Sequence, residues 1–468
     1  MKHLLVFLIL LLAAAPVRAQ FLWQRAVGTA LRSETATHMI AVAGGFVTAG
    51  QSGVISASDN SGLYLSKVNH TGDTLWTKRQ LFANVQVFDS RGLIADAAGN
   101  LVVSAIVVPP YTPAVPNPPA QGLLVKLTPA GDTIWTRRVT NPAGALLTAL
   151  VLGNDGSYVA IGAFGGGLNQ FPALFKFSPA GALLWTQIVP YDGTQLGYLQ
   201  NIVAVPGGYF LVSAPIGGNL RAKFITVNEV GTYQFERLVP RGSGTGQLKL
   251  NSQGHLLAIG GSLTELTVQG DSLWSYFYRQ YNAPLSLRRL AELPTGNYLA
   301  AGERYNGPER DVGLVVVDRN GALLRDTLFV RGGSDENVAG VALTPTGNYV
   351  VALGTDRGPI GFADQYLFAY RNWNRLLPTR APQSAAHDGL TAYPNPTADA
   401  LTLETADLRP LTGQWTLYDM LGRAVQSGTL PGLPRARLSL TAQPAGLYLL
   451  RVADAHGRTI QTSRIEKR

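Results

Sequence analysis

The chain has 468 residues, of which 14% are charged and 46% hydrophobic, with 52 Gly, 28 Pro and no Cys. That length calls for several structural units, and the apolar content excludes general disorder. The net charge of +9 comes from Lys and Arg scattered singly rather than in runs, which argues against nucleic acid; the lack of Cys excludes disulfides, thiolate metal sites, a thiol nucleophile and a lipid anchor on cysteine.

In chain order, residues 1–19 read as a secretory signal peptide. Lys2 and His3 form the polar start, residues 4–15 the apolar core, and Val17-Arg18-Ala19 a small-residue cleavage site before Gln20. The apolar run is too short for a membrane span, and no stretch of about 18 or more apolar residues follows, so no transmembrane span is expected. Residues 21–27 (FLWQRAV) then read as a lone strand.

An internal repeat follows. Residues 65–79 (LSKVNHTGDTLWTKR) return at 124–138 as LVKLTPAGDTIWTRR and at 174–187 as LFKFSPAGALLWTQ, with weaker copies at 224–237, 263–278 and 314–328. Each copy is a strand, a Gly turn and a strand, hence a hairpin. A second hairpin phrase alternates with the first, at 40–50, 93–105, 150–162, 202–214, 248–260, 290–302 and 341–354. Together they give four antiparallel strands per unit, named A to D in chain order. Seven units at a spacing of roughly 42 to 57 residues predict an all-β chain with a seven-bladed β-propeller over residues 20–373.

The seventh unit lacks a strand D, and residues 21–27 match one, with Trp23 in the place of Trp76. The N-terminal strand is therefore expected to complete the seventh blade, with Trp23 buried, and to leave no open edge. Trp76, Trp135, Trp185 and Trp274 recur at equivalent positions, as packing between neighbouring blades requires. The Gly-Asp turns do not fit the EF-hand calcium loop and read as turn chemistry. The GDTLW phrase resembles, as blade structure, the Trp-bearing repeats of quinoprotein-like propellers; no cofactor motif accompanies it, and neither cofactor nor metal is expected.

A–B and C–D turns are short and alike, whereas B–C and D–A connections are longer and differ between units. The meander puts the variable connections at one end of every blade, where function is usually carried. The candidate ligand-binding residues there are Tyr191, Asp192, Arg304, Tyr305, Asn306, Asp335 and Glu336. Flat rings that stack, beside amides and charges that orient, suit a sugar or peptide. No HExxH, GxSxG, P-loop or dinucleotide fingerprint appears, so no catalytic residue is assigned. The favoured expectation is a non-catalytic glycan- or protein-binding module. The alternative is a secreted polysaccharide hydrolase or lyase with carboxylates at the mouth of the propeller channel.

Residues 374–387 are Pro/Ala/Ser-rich and read as a linker. Residues 388–468 carry short alternating strands punctuated by glycines, which predicts a small Ig-like β-sandwich. Three runs stand out: Tyr393-Pro394-Asn395-Pro396; residues 417–423 (LYDMLGR), with Gly422 and Arg423; and residues 444–452 (PAGLYLLRV), with Gly446 and Tyr448. In order, spacing and position they resemble the type A C-terminal sorting domain of the type IX secretion system. The resemblance implies periplasmic entry by the signal peptide, recognition by the type IX secretion machinery and passage across the outer membrane. It further implies removal of the domain, with the cargo attached to surface lipopolysaccharide or released, and hence a secreted or cell-surface location.

Overall fold

The computed structural model describes residues 21–30, 32–53, 60–113, 115, 117–165, 171–189, 196–215, 223–238, 246–280, 283–306, 309–329, 335–356, 360, 363–371, 390–405, 411–419, 423–433, 435–454 and 459–468. The signal segment, the linker, Tyr191, Asp192 and Gly422 lie outside the described residues. Among the described residues every regular element is a strand, and no helix is long and apolar enough to cross a membrane. Two compact units are present, Met1–Ile188 with Gly332–Leu377, and Val189–Arg331 with Pro378–Arg468.

The first unit holds four antiparallel sheets. One consists of His38–Val42, Gly45–Ser52, Gly62–Val68 and Thr74–Gln80, paired in chain order, and residues 86–139 and 145–188 repeat the arrangement. In the first of these sheets, strands B and C are buried along nearly their whole length, whereas strand D is exposed or half-buried at every position. That explains their composition. Inner strands covered on both faces read as continuous aliphatic runs, while the outer strand alternates Trp with Thr, Lys and Arg.

The fourth sheet joins the two ends of the repeat. Glu336–Leu343, Tyr349–Thr355 and Asp364–Tyr370 supply strands A to C, and Phe21–Val27 pairs antiparallel with the last, placing Trp23 opposite Ala369 and Val27 opposite Gln365. The N-terminal strand thus completes the seventh blade, as the sequence predicts. Trp23 departs from expectation in one respect: it is half-buried, because an outermost strand is covered on one side only.

Within the first unit, strand D of one blade is latched to the C–D turn of the next. Trp23 Nε1 donates to His70 O (3.0 Å) and Arg25 Nε to Gly72 O (2.7 Å), tying the seventh blade to the first. Trp135 Nε1 reaches Pro179 O (3.3 Å) and Arg137 Nε reaches Gly181 O (2.9 Å), tying the second to the third. Gly72 and Gly181 sit at φ +87° and +84°, and a Cβ on either would fall 2.6 or 2.9 Å from the indole facing it. Only glycine offers that backbone and that clearance. The turns hold themselves as expected, Asn69 Oδ1 accepting from the N–H groups of Thr71 (2.9 Å) and Asp73 (2.8 Å).

The second unit holds three blades, residues 196–238, 248–277 and 283–329, the last extended by a short additional strand, Arg279–Gln280. The same latch recurs: Arg237 Nε donates to Gln269 O (3.0 Å), and the Trp274 indole lies against Gly321. The unit ends in a two-sheet sandwich. Leu390–Tyr393, Ala400–Thr405 and Arg435–Ser439 form one sheet, and Ala424–Leu433, Leu411–Tyr418, Gly446–Ala453 and Thr459–Lys467 the other. Leu401, Leu403 and Leu438 meet Trp415, Leu417, Leu450 and Ile465 in a single core. The fold class is therefore all-β, seven propeller-type blades followed by a small sandwich, as the sequence predicts.

Candidate functional site

Three of the candidate ligand residues lie on one hairpin of the sixth blade, Tyr298–Asn306 with Glu309–Val317. Arg304 is buried, its Nη2 donating to Asp311 Oδ2 at 2.7 Å. On the opposite face of the strand, Glu303 (2% exposed) accepts from Arg288 Nε and Nη2 at 3.2 and 3.1 Å, with Arg310 Nη1 3.7 Å away. Burial, with the charge of Arg288 beside it, pushes the Arg289 guanidinium down to about 10. Glu303 and Asp311 are thus each engaged by arginine within the blade, and the hairpin keeps an excess of positive charge. Tyr305, directly across from Arg310, is 61% exposed and carries its ring outward beside that framework. Asn306 ends the strand.

Asp335 and Glu336 do not form an open acidic pair. The Asp335 N–H donates to Asp356 Oδ1 (2.6 Å), fastening the end of strand A to the end of strand B, and the Glu336 side chain is buried.

Sequence reasoning passes over a polar seam between the seventh and first blades. Glu34 and Asp364 are fully buried, and a Cβ on Gly28 would lie 2.1 Å from Asp364 Oδ1 and 3.4 Å from Glu34 Oε2, so only glycine fits between the carboxylates. Glu34 accepts from Thr29 N–H (3.0 Å) and Thr29 Oγ1 (2.6 Å), and Asp364 from Ile360 N–H (2.7 Å). Burial, then the charges of Glu34 and Asp364, push the Tyr64 phenol up to about 12. Gln365 continues the seam, accepting from Thr48 Oγ1 (2.6 Å) and Ser66 Oγ (2.7 Å). The two carboxylates lie at opposite ends of the repeat, and only the closure of the first unit brings them together.

At the opposite, short-turn end of these two blades, a groove of about 550 Å³ is lined by Leu22, Trp23, His70, Thr71 and residues 344–346 and 348. It is mainly apolar, and its Thr344 and Thr346 hydroxyls bond each other at 2.9 Å.

In the sandwich, the sorting-motif residues are tied to their own domain. Tyr393 donates its hydroxyl to Glu404, which Arg435 Nε also contacts at 2.6 Å; the bond to Glu404 raises the Tyr393 phenol above its ordinary value. Arg423 Nε meets Asp419 Oδ2 at 2.7 Å, and the buried Tyr448 donates to Pro444 O at 2.8 Å. Gly446 starts its strand opposite Lys467. Pro394, Asn395 and Pro396 form an exposed loop, and Asn395 spans to the last strand, with Nδ2 donating to Arg464 O (2.7 Å) and Oδ1 accepting from Glu466 N–H (2.9 Å).

Among solved structures, the chain is similar to a streptogramin B lyase, at 12% identity and TM-score 0.46, covering 74% of this chain and 97% of that one. It is also similar to the Pseudomonas aeruginosa periplasmic gluconolactonase, at 13% identity and TM-score 0.49, covering 70% and 100%. A Dyadobacter fermentans protein of unknown function matches at 12% identity and TM-score 0.45, covering 76% and 100%. No curated protein matches. Residues 391–466 match the model of the secretion system C-terminal sorting domain, so this protein ends in a type IX C-terminal sorting domain and is exported to the cell surface or beyond.

Proposed function

We propose that the blades form a non-catalytic module that binds glycan or protein outside the cell, delivered there by the C-terminal domain. The observation that carries this reading is the hairpin of Tyr305. Its charged neighbours are engaged in ion pairs within the blade, so what the hairpin offers a partner is an exposed ring beside a fixed guanidinium. Such a ring stacks on a sugar face or a peptide side chain, and the guanidinium orients it. Residues 1–19 carry the chain to the periplasm in this reading, and the mature protein is attached to surface lipopolysaccharide or released beyond the outer membrane.

The test is a glycan and peptide array probed with the full chain and its Tyr305→Ala variant. The wild type is expected to bind without consuming the ligand, and the variant to bind about tenfold or more weakly with unchanged melting. Turnover of a bound glycan, or equal binding by the variant, would overturn the proposal.

A further inference from the structure

The last strand of the sandwich, Thr459–Lys467, is the edge of its sheet, paired through Leu447↔Glu466 and Leu449↔Arg464 on its inner side and met on its outer side by the isolated bridge Thr397↔Lys467. An edge strand leaves alternate N–H and C=O groups without a neighbour. Here the loop of the Tyr-Pro-Asn-Pro motif takes the neighbour's place. Asn395 Nδ2 donates to Arg464 O (2.7 Å), Asn395 Oδ1 accepts from Glu466 N–H (2.9 Å), Thr397 N–H donates to Glu466 O (2.8 Å), and Arg468 N–H donates to Thr397 O (2.9 Å). One amide side chain therefore bridges two main-chain groups, with a donor and an acceptor at the spacing of an extended strand, and does the work of a peptide unit. Below it Thr397 is buried, while the Arg464 and Arg468 side chains remain exposed.

We propose that Asn395 is a positioning residue for sorting: it holds the terminal residues as a fixed strand end, and that conformation is what the secretion machinery recognises. The proposal rests on the reading of residues 391–466 as a sorting domain. It accounts for a motif at the start of the domain by its contact with the domain's last strand. Alanine at this position removes both bonds. Aspartate keeps the acceptor for Glu466 and loses the donor to Arg464, so it restores half of the bridge.

The experiment follows the full chain in a host with a type IX secretion system, beside Asn395→Ala, Asn395→Asp and a chain ending at residue 390. Export is measured as the fraction outside the cell. Hydrogen exchange of the terminal peptide, residues 459–468, is measured on each purified full-length protein. N395A is expected to lose protection of that peptide and to be exported about tenfold less, with N395D between it and wild type on both readouts. Wild-type export of N395A despite lost protection would overturn the proposal, as would lost export with protection unchanged. If N395A fails to fold, N395D is read by the same two criteria. Export of the chain ending at residue 390 at the wild-type level would instead overturn the sorting reading itself, and the proposal with it.

Discussion

At the scale of single residues, glycine carries two separable burdens. Gly156, at φ +77°, has nothing within 4 Å of where a Cβ would stand, whereas a Cβ on Gly72, at φ +87°, would meet the Trp23 indole at 2.6 Å. Gly156→Ala should therefore cost about 1 kcal/mol, the price of a left-handed backbone, and Gly72→Ala about 2–4 kcal/mol, since a rigid ring must also move. Chemical denaturation of the two variants checks the difference. Asp96 offers a pH test. Burial alone would raise its carboxyl, but bonds from Lys126 (2.9 Å), Asn100 and Tyr158 (3.1 Å) outweigh burial and hold it at about 2. A carboxylate depressed on folding stabilises above its unfolded value near 4, and that stability is lost as the pH falls from about 4 toward 2. About 2 kcal/mol should disappear over this window, and Asp96→Asn, already weakened at neutral pH, should show a flatter acid limb in melting temperature. The strand D tryptophans were legible in the sequence because they recur in register. The basic residue two places on was not, because scattered Lys and Arg look the same whether they close a latch, as Arg25 and Arg137 do, or face water.

At the scale of elements, the N-terminal strand closes the repeat. It pairs with Asp364–Tyr370 along its length and also reaches the C–D turn of the first blade through Trp23 and Arg25. Deleting residues 20–28 should open an edge on the seventh blade and release the first, giving a lower melting temperature and concentration-dependent aggregation. Trp23→Ala should be milder, about 2 kcal/mol, because the ring is half-buried. An unchanged melting temperature in the deletion would contradict closure by this strand. Closure was legible because a seventh strand D was missing at one end of the repeat and a spare one stood at the other. The Glu34–Asp364 seam was not, because nothing in either residue's neighbourhood in the sequence marks the other, and burial alone gives two carboxylates a shared environment.

At the scale of the whole chain, the C-terminal domain was the most legible part. Its motif residues are spent on the domain's own geometry, Tyr393 on Glu404, Arg423 on Asp419 and Asn395 on the last strand. Residues bound to such fixed partners must keep their spacing, and that is why a sequence pattern can identify the domain. The candidate ligand residues were less legible. Loop position and residue type picked out Tyr305, which is exposed, but equally Arg304 and Glu336, which are buried, since composition cannot tell a charge offered to a partner from one already paired. The two parts separate in one measurement. A folded periplasmic reporter fused to residues 374–468, and the chain ended after residue 373, are followed in a host with a type IX secretion system. The reporter should leave the cell, while the shortened chain folds and stays in the periplasm. A retained reporter with an exported shortened chain would contradict the assignment of the address to the C-terminal domain.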